Sequence, residues 1–399
     1  MPTEKLAAAG GTPVRETFLP YSLPQTGEEE KRELIAALES GWITTGPRTK
    51  KLEADLAEYT GAAHVLCVDS CTAALHLALE ALDLEPGDEV VTSPLTFCST
   101  ANTIIHAGGI PVLADVEPDT LNLDPGAAAR AITSRTRALL PVHYGGHPCE
   151  MDAFAVLARE HGLAVVEDAA HAIGASYRGR KVGTMSDAAC FSFYATKNMT
   201  TAEGGALATD RDDLAERARR NSLHGMSKDA WKRYTSAGSW YYEVVSPGFK
   251  YNMTDLEAAL GLHQLARLEG FIARRQELAL KFDAAFAGHP AITVPARRSE
   301  VRHVYHLYAI RLDLDRLSCD RAEFIEMLKA EGIGTTVNFI PIHFHPYYRE
   351  RLGLAEGAFP VAEAAYHRLI SLPLYPRMTD ADADDVVAAV RKVAAACAR

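Results

Sequence analysis

Short apolar runs and longer stretches of three-to-four-residue periodicity take turns along most of this chain, the first marking strands and the second helices. A helical pattern covers Lys51 to Tyr59, and a short apolar strand follows at Val65–Val68. A helix then opens at Cys71 and sets Ala73, Ala74, Leu77, Ala78 and Leu82 on one face. Glu85-Pro86-Gly87-Asp88 is turn chemistry, and Glu89–Thr92 reads as the next strand. Further strands are predicted at Ile110–Val116, Arg137–Val142, Leu163–Glu167, Ala188–Phe193 and Gly205–Thr209, with an amphipathic helix at Met151–His161. Leu163–Glu167 is almost continuously apolar, as a strand buried on both faces should be. Strands alternating with helices predict an α/β architecture: an open, mostly parallel sheet flanked by helices.

The character changes after residue 255. Thr254-Asp255 fits a helix N-cap, and a long helical pattern runs from there past Leu280. A strand (Val304–Leu312), a helix (Arg321–Ala330), a second strand (Thr335–Phe339) and a last helix from near Thr379 to near Cys397 complete the chain. This remainder predicts a smaller C-terminal α+β domain. The division falls within the long helix, giving a large domain over 1–270 and a small one over 271–399.

Composition narrows the classes. At 399 residues the chain exceeds the size of one hydrophobic core, which agrees with two domains. Apolar residues at 48% and charged ones at 23% are ordinary for a globular protein. The net charge is −11, and Lys and Arg form no block, so nucleic acid is not an expected partner. No run of apolar residues is long enough for a membrane span, and Met1 to Arg15 lacks a signal-peptide core. The seven cysteines are odd in number and none is spaced Cys-x-x-Cys, which predicts reduced thiols and a cytoplasmic protein.

Three places could carry chemistry. Lys197 ends a strand of aromatic and small residues, Cys190-Phe-Ser-Phe-Tyr-Ala-Thr-Lys197, and Gly204-Gly205 with the next strand follow closely. A lysine between two core strands is partly desolvated, which favours the neutral, nucleophilic amine. Asp168 stands at the carboxyl end of a buried strand, where ligands bind in open α/β sheets. Strand alternation sends its neighbour Glu167 to the other face. The junction Asp69-Ser70-Cys71-Thr72-Ala73-Ala74 starts a helix, whose free N–H groups suit a phosphate, although plain capping would use the same residues. No G-x-x-x-x-G-K-[ST], G-x-G-x-x-G or G-x-S-x-G motif is present. His143, His147 and Cys149, and His343 with His345, lack zinc spacing and sit beside Pro148 and Pro346, so no metal is expected.

Taken together, these segments resemble the DegT/StrS family of nucleotide-sugar aminotransferases, of the type I pyridoxal-phosphate fold. The resemblance runs from about Ser40 to Val390. It is carried by Gly41-Trp-Ile-Thr-Thr-Gly-Pro47, Asp69–Leu75, Thr92–Thr100, Val166–Ala172, Ser192–Gly205, Gly248–Leu260, Pro341-Ile-His-Phe-His-Pro346 and Ser371-Leu-Pro-Leu-Tyr-Pro376 with Met378-Thr379-Asp380. It implies pyridoxal 5'-phosphate as cofactor and Lys197 as its Schiff-base lysine. Asp168 matches the partner of the pyridine nitrogen, His171 the contact to the ring hydroxyl, and Phe97 an aromatic stacked on the ring. Ser192 and the backbone of Cys71 and Thr72 match phosphate ligands. Asn252 matches a phosphate ligand donated across a dimer interface, so a homodimer with shared active sites is implied.

Two departures stand out: Cys71 where many relatives have Gly, and His345 where they often have Gln. The implied reaction moves an amino group from glutamate or glutamine to a nucleotide-linked ketosugar. The stretch His224-Gly225-Met226 through Trp231, Arg233, Tyr234 and Trp240-Tyr241-Tyr242 is similar to relatives that aminate carbon 4. Amination at carbon 3, or of a cyclic ketone such as an inosose, stays open. Trp42, Trp231 and Tyr242 could stack on a base or fill packing space. A non-catalytic regulator on the same fold would be expected to lose the lysine, and a sugar deoxygenase would carry His in its place; Lys197 argues against both.

Overall fold

The computed structural model describes residues 5–227 and 241–399. Its centre is a seven-stranded sheet. Strands β1 (His64–Val68), β2 (Glu89–Thr92), β3 (Ile110–Leu113), β4 (Thr136–Leu140) and β5 (Ala164–Asp168) come first. A small hairpin, β6 (Ser176–Tyr177) and β7 (Arg180–Lys181), precedes β8 (Ala188–Ser192) and β9 (Gly205–Thr209). The order across the large sheet is β1-β9-β8-β5-β4-β2-β3. Only β9 runs against its neighbours; the pairs from β8 through β3 are parallel. Every residue of β2, β8 and β9 is buried, as expected of strands covered on both faces. This is the type I aminotransferase architecture.

Helices α1 (Glu28–Glu39), α2 (Pro47–Thr60), α3 (Cys71–Glu80), α4 (Cys98–His106), α5 (Pro125–Ala131), α6 (Met151–His161) and α7 (Asp212–Asn221) accompany this sheet. Helix α8 (Asp255–Phe286) follows and is 32 residues long. Its N-cap is Thr254, closed by a capping box with Glu257. The first residue of α8 also caps α2: buried Asp255 accepts hydrogen bonds from the N–H groups of Gly46 (2.8 Å) and Thr49 (2.9 Å). Thr45 Oγ1 donates to the Met253 carbonyl at 2.5 Å. Two distant sequence landmarks, Gly41–Pro47 and Asn252–Asp255, are therefore one structural unit.

The C-terminal part holds β10 (Ile292–Thr293), β11 (Val301–Arg302), β12 (Tyr308–Leu312), α9 (Arg321–Ala330), α10 (Pro346–Leu352), α11 (Pro360–Arg368), β13 (Leu369–Leu372) and α12 (Asp380–Ala396). A sheet of order β10-β12-β13 packs with α8, α9 and α12 around Phe282, Phe286, Tyr308, Phe324 and Val386. The N-terminal residues join this part. Leu19 belongs to the same core, and buried Glu331 accepts from the N–H groups of Ala7 and Val14, both at 2.9 Å. A second core mixes Leu95, Leu113 and Tyr144 with Leu307, Ile342, Phe359 and Leu369, so both parts share one interior.

The expected strand at Thr335–Phe339 does not form. Thr336 alone makes a bridge, to Ser371, while Gly334 bonds to Leu19 and the Asn338 carbonyl accepts from the Tyr144 hydroxyl. Competing partners on both sides break the ladder. The strand read at Val304–Leu312 begins only at Tyr308, because the N–H groups of Val304 and Leu307 go to the carbonyls of Gly146 and Gly145 instead of a ladder.

Candidate active site

A cleft of about 460 Å³ opens at the carboxyl ends of β5 and β8, a size usual for small-molecule sites. Cys71, Thr72, Phe97, Asp168, His171, Ser192 and Lys197 all line it. Residues separated by more than a hundred positions are thus brought to one place by the strand order.

Lys197 follows β8 in a turn closed by its own N–H to the Tyr194 carbonyl at 2.9 Å. The residue is half-buried because its side chain borders the open cleft. Burial pushes the pKa of its amine down to about 8, against the weaker upward pull of Cys71 and Asp168. A sizeable neutral fraction therefore exists near neutral pH.

Asp168 and Glu167 diverge as strand alternation requires. Asp168, 6% exposed, faces the cleft; Thr100 Oγ1 donates to its Oδ2 at 2.7 Å and the Ala170 N–H to its Oδ1 at 3.2 Å. Burial pushes its carboxyl pKa up, while Thr100, Ala170 and Lys197 hold it down. Glu167 is fully buried on the other face, bonded to His143 Nε2 at 2.7 Å and to the Ser186 hydroxyl. His143 Nδ1 accepts from the Cys149 N–H at 3.0 Å, which fixes its proton on Nε2, toward Glu167.

His171 Nδ1 accepts from the Gly145 N–H at 3.3 Å, so its Nε2 carries the proton. Its ring lies 4.3 Å from that of His306 and 5.8 Å from that of Phe339. Burial, with the nearby Lys197, pushes both imidazoles well below the usual histidine range and keeps them neutral. Phe97 is 59% exposed at the mouth, its ring 6.0 Å from Phe339.

The anion end is built by α3. Ser70 caps it, its Oγ accepting from the Ala73 N–H at 3.1 Å, and the N–H groups of Cys71 and Thr72 in the first turn have no intrahelical acceptor. Strand β9 passes directly beneath. A Cβ on Gly205 would come within 2.5 Å of the Cys71 nitrogen, so only a bare residue permits this approach. That explains Gly205, while Gly204 has a positive φ of 151° and a Cβ there would meet Thr201.

Asn252 does not join these residues. It lines a separate cavity of about 180 Å³ with Lys50, Arg219 and Arg220, and its Nδ2 donates to Thr45 Oγ1 at 2.6 Å. Trp42 Nε1 bonds the Thr45 carbonyl at 3.0 Å. Trp231, Arg233, Tyr234 and Trp240 lie outside the described residues. His143 and His343 are occupied by Glu167 and Glu363, and among the described residues no group of three or more His, Cys, Asp or Glu could hold a metal.

Several lining residues had no signal in the sequence reading: Tyr21, Tyr194, Glu203, His306, Asn338 and Phe339. Thr100, behind Asp168, also went unread. His306 and Phe339 sat inside segments taken for strands. Tyr21 precedes the first recognised pattern altogether.

The residues fit the expected cofactor. A buried carboxylate without a cationic partner is costly, and a protonated ring nitrogen would supply one. His306 Nδ1 is buried with no hydrogen-bond partner, which marks a wall built for polar contents. An amine, a buried acid and a phosphate-ready helix start share one cleft.

Comparison with known proteins agrees. The DegT/DnrJ/EryC1/StrS aminotransferase family model matches residues 24–391. The spore coat polysaccharide biosynthesis protein SpsC of Bacillus subtilis (strain 168) is 53% identical over 380 residues, covering 95% of this chain and 98% of that protein. Spr1654 of Streptococcus pneumoniae, solved in a PLP-form, superposes with a TM-score of 0.89 at 33% identity, covering 95% of this chain and 99% of that one. DesI, solved in the presence of its TDP-sugar product, gives a TM-score of 0.86 at 31% identity over 98% of this chain and 96% of its own. With a match along nearly its whole length, the chain belongs to the DegT/DnrJ/EryC1/StrS aminotransferase family, whose enzymes depend on pyridoxal phosphate.

Proposed function

We propose that this cleft transfers an amino group from glutamate or glutamine to a nucleotide-linked ketosugar, with a 4-ketosugar the first acceptor to test. One observation carries the reading: an amine with a pKa near 8 and a buried carboxylate line the same cleft at the sheet's carboxyl edge. The TDP-sugar product seen with DesI and the polysaccharide role of SpsC support a sugar acceptor.

When bound, pyridoxal phosphate supplies an aldehyde that takes up amino groups and a ring that draws electrons from the carbon bearing them. Lys197 Nζ would hold that aldehyde between turnovers, and as a free amine it would carry a proton from the donor's carbon to the cofactor and, with the acceptor bound, from the cofactor to the acceptor's carbon. The Asp168 carboxylate would keep a proton on the ring nitrogen. His171 Nε2–H would be the donor for the ring hydroxyl oxygen, and Phe97 would be the aromatic neighbour of the ring. Ser192 and the first N–H groups of α3 would hold the phosphate.

Asn252 completes that phosphate site in a second copy of the chain. Exposed Ile35 and Leu38 on α1, with Val244 and Val245, give the second copy apolar surface to cover. We place this homodimer in the cytoplasm.

Borohydride treatment of the yellow protein tests the reading. The label should be fixed on the peptide containing Lys197, and Lys197→Ala should abolish turnover. A label elsewhere, or appreciable transamination by Lys197→Ala, overturns it. A panel of nucleotide ketosugars with a free inosose then identifies the acceptor and the carbon.

A further inference from the structure

We infer that the N-terminal segment completes the substrate site: Tyr21 fixes the amide of Asn338 so that its nitrogen donates to an oxygen of the acceptor sugar. This rests on the cleft being a nucleotide-sugar site.

The segment is held tightly. The Leu19 N–H donates to the Gly332 carbonyl and the Gly334 N–H to the Leu19 carbonyl, both at 2.8 Å. A Cβ on Gly334 would come within 2.9 Å of both the Leu19 oxygen and the Tyr21 nitrogen. The approach is possible only because position 334 is bare. Tyr21 is thereby carried into the wall of the cleft, beside Asn338.

The two side chains then meet. Tyr21 Oη donates to Asn338 Oδ1 at 3.3 Å. Burial pushes the phenol's pKa up, so the hydroxyl keeps its proton. The Tyr144 hydroxyl donates to the Asn338 backbone carbonyl. Backbone and Oδ1 are both engaged, and among the described residues no acceptor takes the Nδ2 hydrogens. They are left for an oxygen in the cleft.

The chemistry of that oxygen follows. A neutral amide suits a neutral hydroxyl or carbonyl oxygen, whereas a carboxylate is better met by a cation. Of the two substrates, the sugar carries most of the neutral oxygens, whereas the amino donor brings at most one, the amide oxygen of glutamine. Tyr21 is thus a positioning residue acting through Asn338, and Asn338 is a specificity residue.

The test is a double-mutant cycle in the cofactor-loaded protein. Calorimetry would measure binding of a TDP-linked 4-amino-4,6-dideoxyhexose, with TDP alone as the control. Tyr21→Phe, which keeps the ring, should weaken the amino sugar about tenfold, the loss of one hydrogen bond, and leave TDP unchanged. Asn338→Ala should do the same. The double variant should be no weaker than Asn338→Ala alone. Losses that multiply in the double variant, equal weakening of TDP, or a Tyr21→Phe protein that binds normally would each overturn the inference. A wild-type protein that carries its label on Lys197 but binds no nucleotide amino sugar would overturn the nucleotide-sugar reading, and this inference with it.

Discussion

Thr100 Oγ1 points at Asp168 Oδ2 from 2.7 Å, and Thr96 Oγ1 stands 2.7 Å behind it. Both threonines are buried on the loop and helix that follow β2, so a two-hydroxyl relay steadies the acid. The bond lowers the carboxyl pKa that burial raises. Thr100→Val should therefore raise it further and shrink the ionised fraction at low pH. A hydrogen bond to a charged group contributes about 1.5–3 kcal/mol, so kcat/KM should fall roughly ten- to a hundredfold. The acid limb of the pH–rate profile should move to higher pH, and Thr100→Ser should restore both.

Glu167 and Asp168 should fail in opposite ways when neutralised. Glu167 is paired with His143 where neither side chain meets solvent. Removing the acceptor leaves the buried His143 Nε2–H without a partner, at a cost of about 1–3 kcal/mol. Glu167→Ala should lower the thermal midpoint by several degrees yet leave a protein that still turns yellow when it folds. Asp168→Asn should unfold near the wild-type temperature without cofactor and show almost no turnover. Calorimetry of the apoproteins beside an activity assay separates the two.

The amine of Lys197 makes the apoprotein's stability depend on pH. Its folded pKa is near 8, below the ordinary 10.5, so the unfolded chain binds more protons between those values. The burial penalty is fully present below about pH 8 and is relieved as pH rises toward 10.5. Stability of the apoprotein should climb over that window relative to Lys197→Met. Denaturant midpoints of the pair at pH 7, 8.5 and 9.5 would show a shrinking gap; a constant gap would refute it.

Gly205→Ala should act on the phosphate end. The new methyl would strike the backbone at Ser70 and Cys71, which cannot move aside as a side chain can. Overpacking of this kind costs about 1–3 kcal/mol. Affinity for pyridoxal phosphate should drop more than affinity for pyridoxal, because the displaced N–H groups face only the phosphate. Equilibrium titration with both compounds measures the difference.

Much of the large sheet could be read from the chain because its strands are short, apolar and separated by turn residues. Glu89–Thr92, Gly205–Thr209 and helix Met151–His161 have the predicted bounds. The place of Lys197 and Asp168 at the cleft was legible because Asp168 ends one buried strand and Lys197 closely follows another. Thr100, Tyr21 and Asn338 were not, because their roles arise from contacts across the fold: Tyr21 and Asn338 are 317 positions apart. The false strand at Thr335–Phe339 has the same origin. Its alternation is real, but Leu19 and Tyr144 claim the groups a ladder would need. Strand β13 was missed because Leu-Ile-Ser-Leu is too short to show a period.

Helix α8 runs unbroken through both parts of the molecule, and its buried Arg275 grips the Leu374 carbonyl at 2.5 Å and that of Tyr305 at 3.3 Å. Arg275 also reaches the carbonyl of His306 at 3.4 Å, and His306 lines the cleft. The rod thus bears one wall of the substrate chamber directly, and a change at its waist would be felt there.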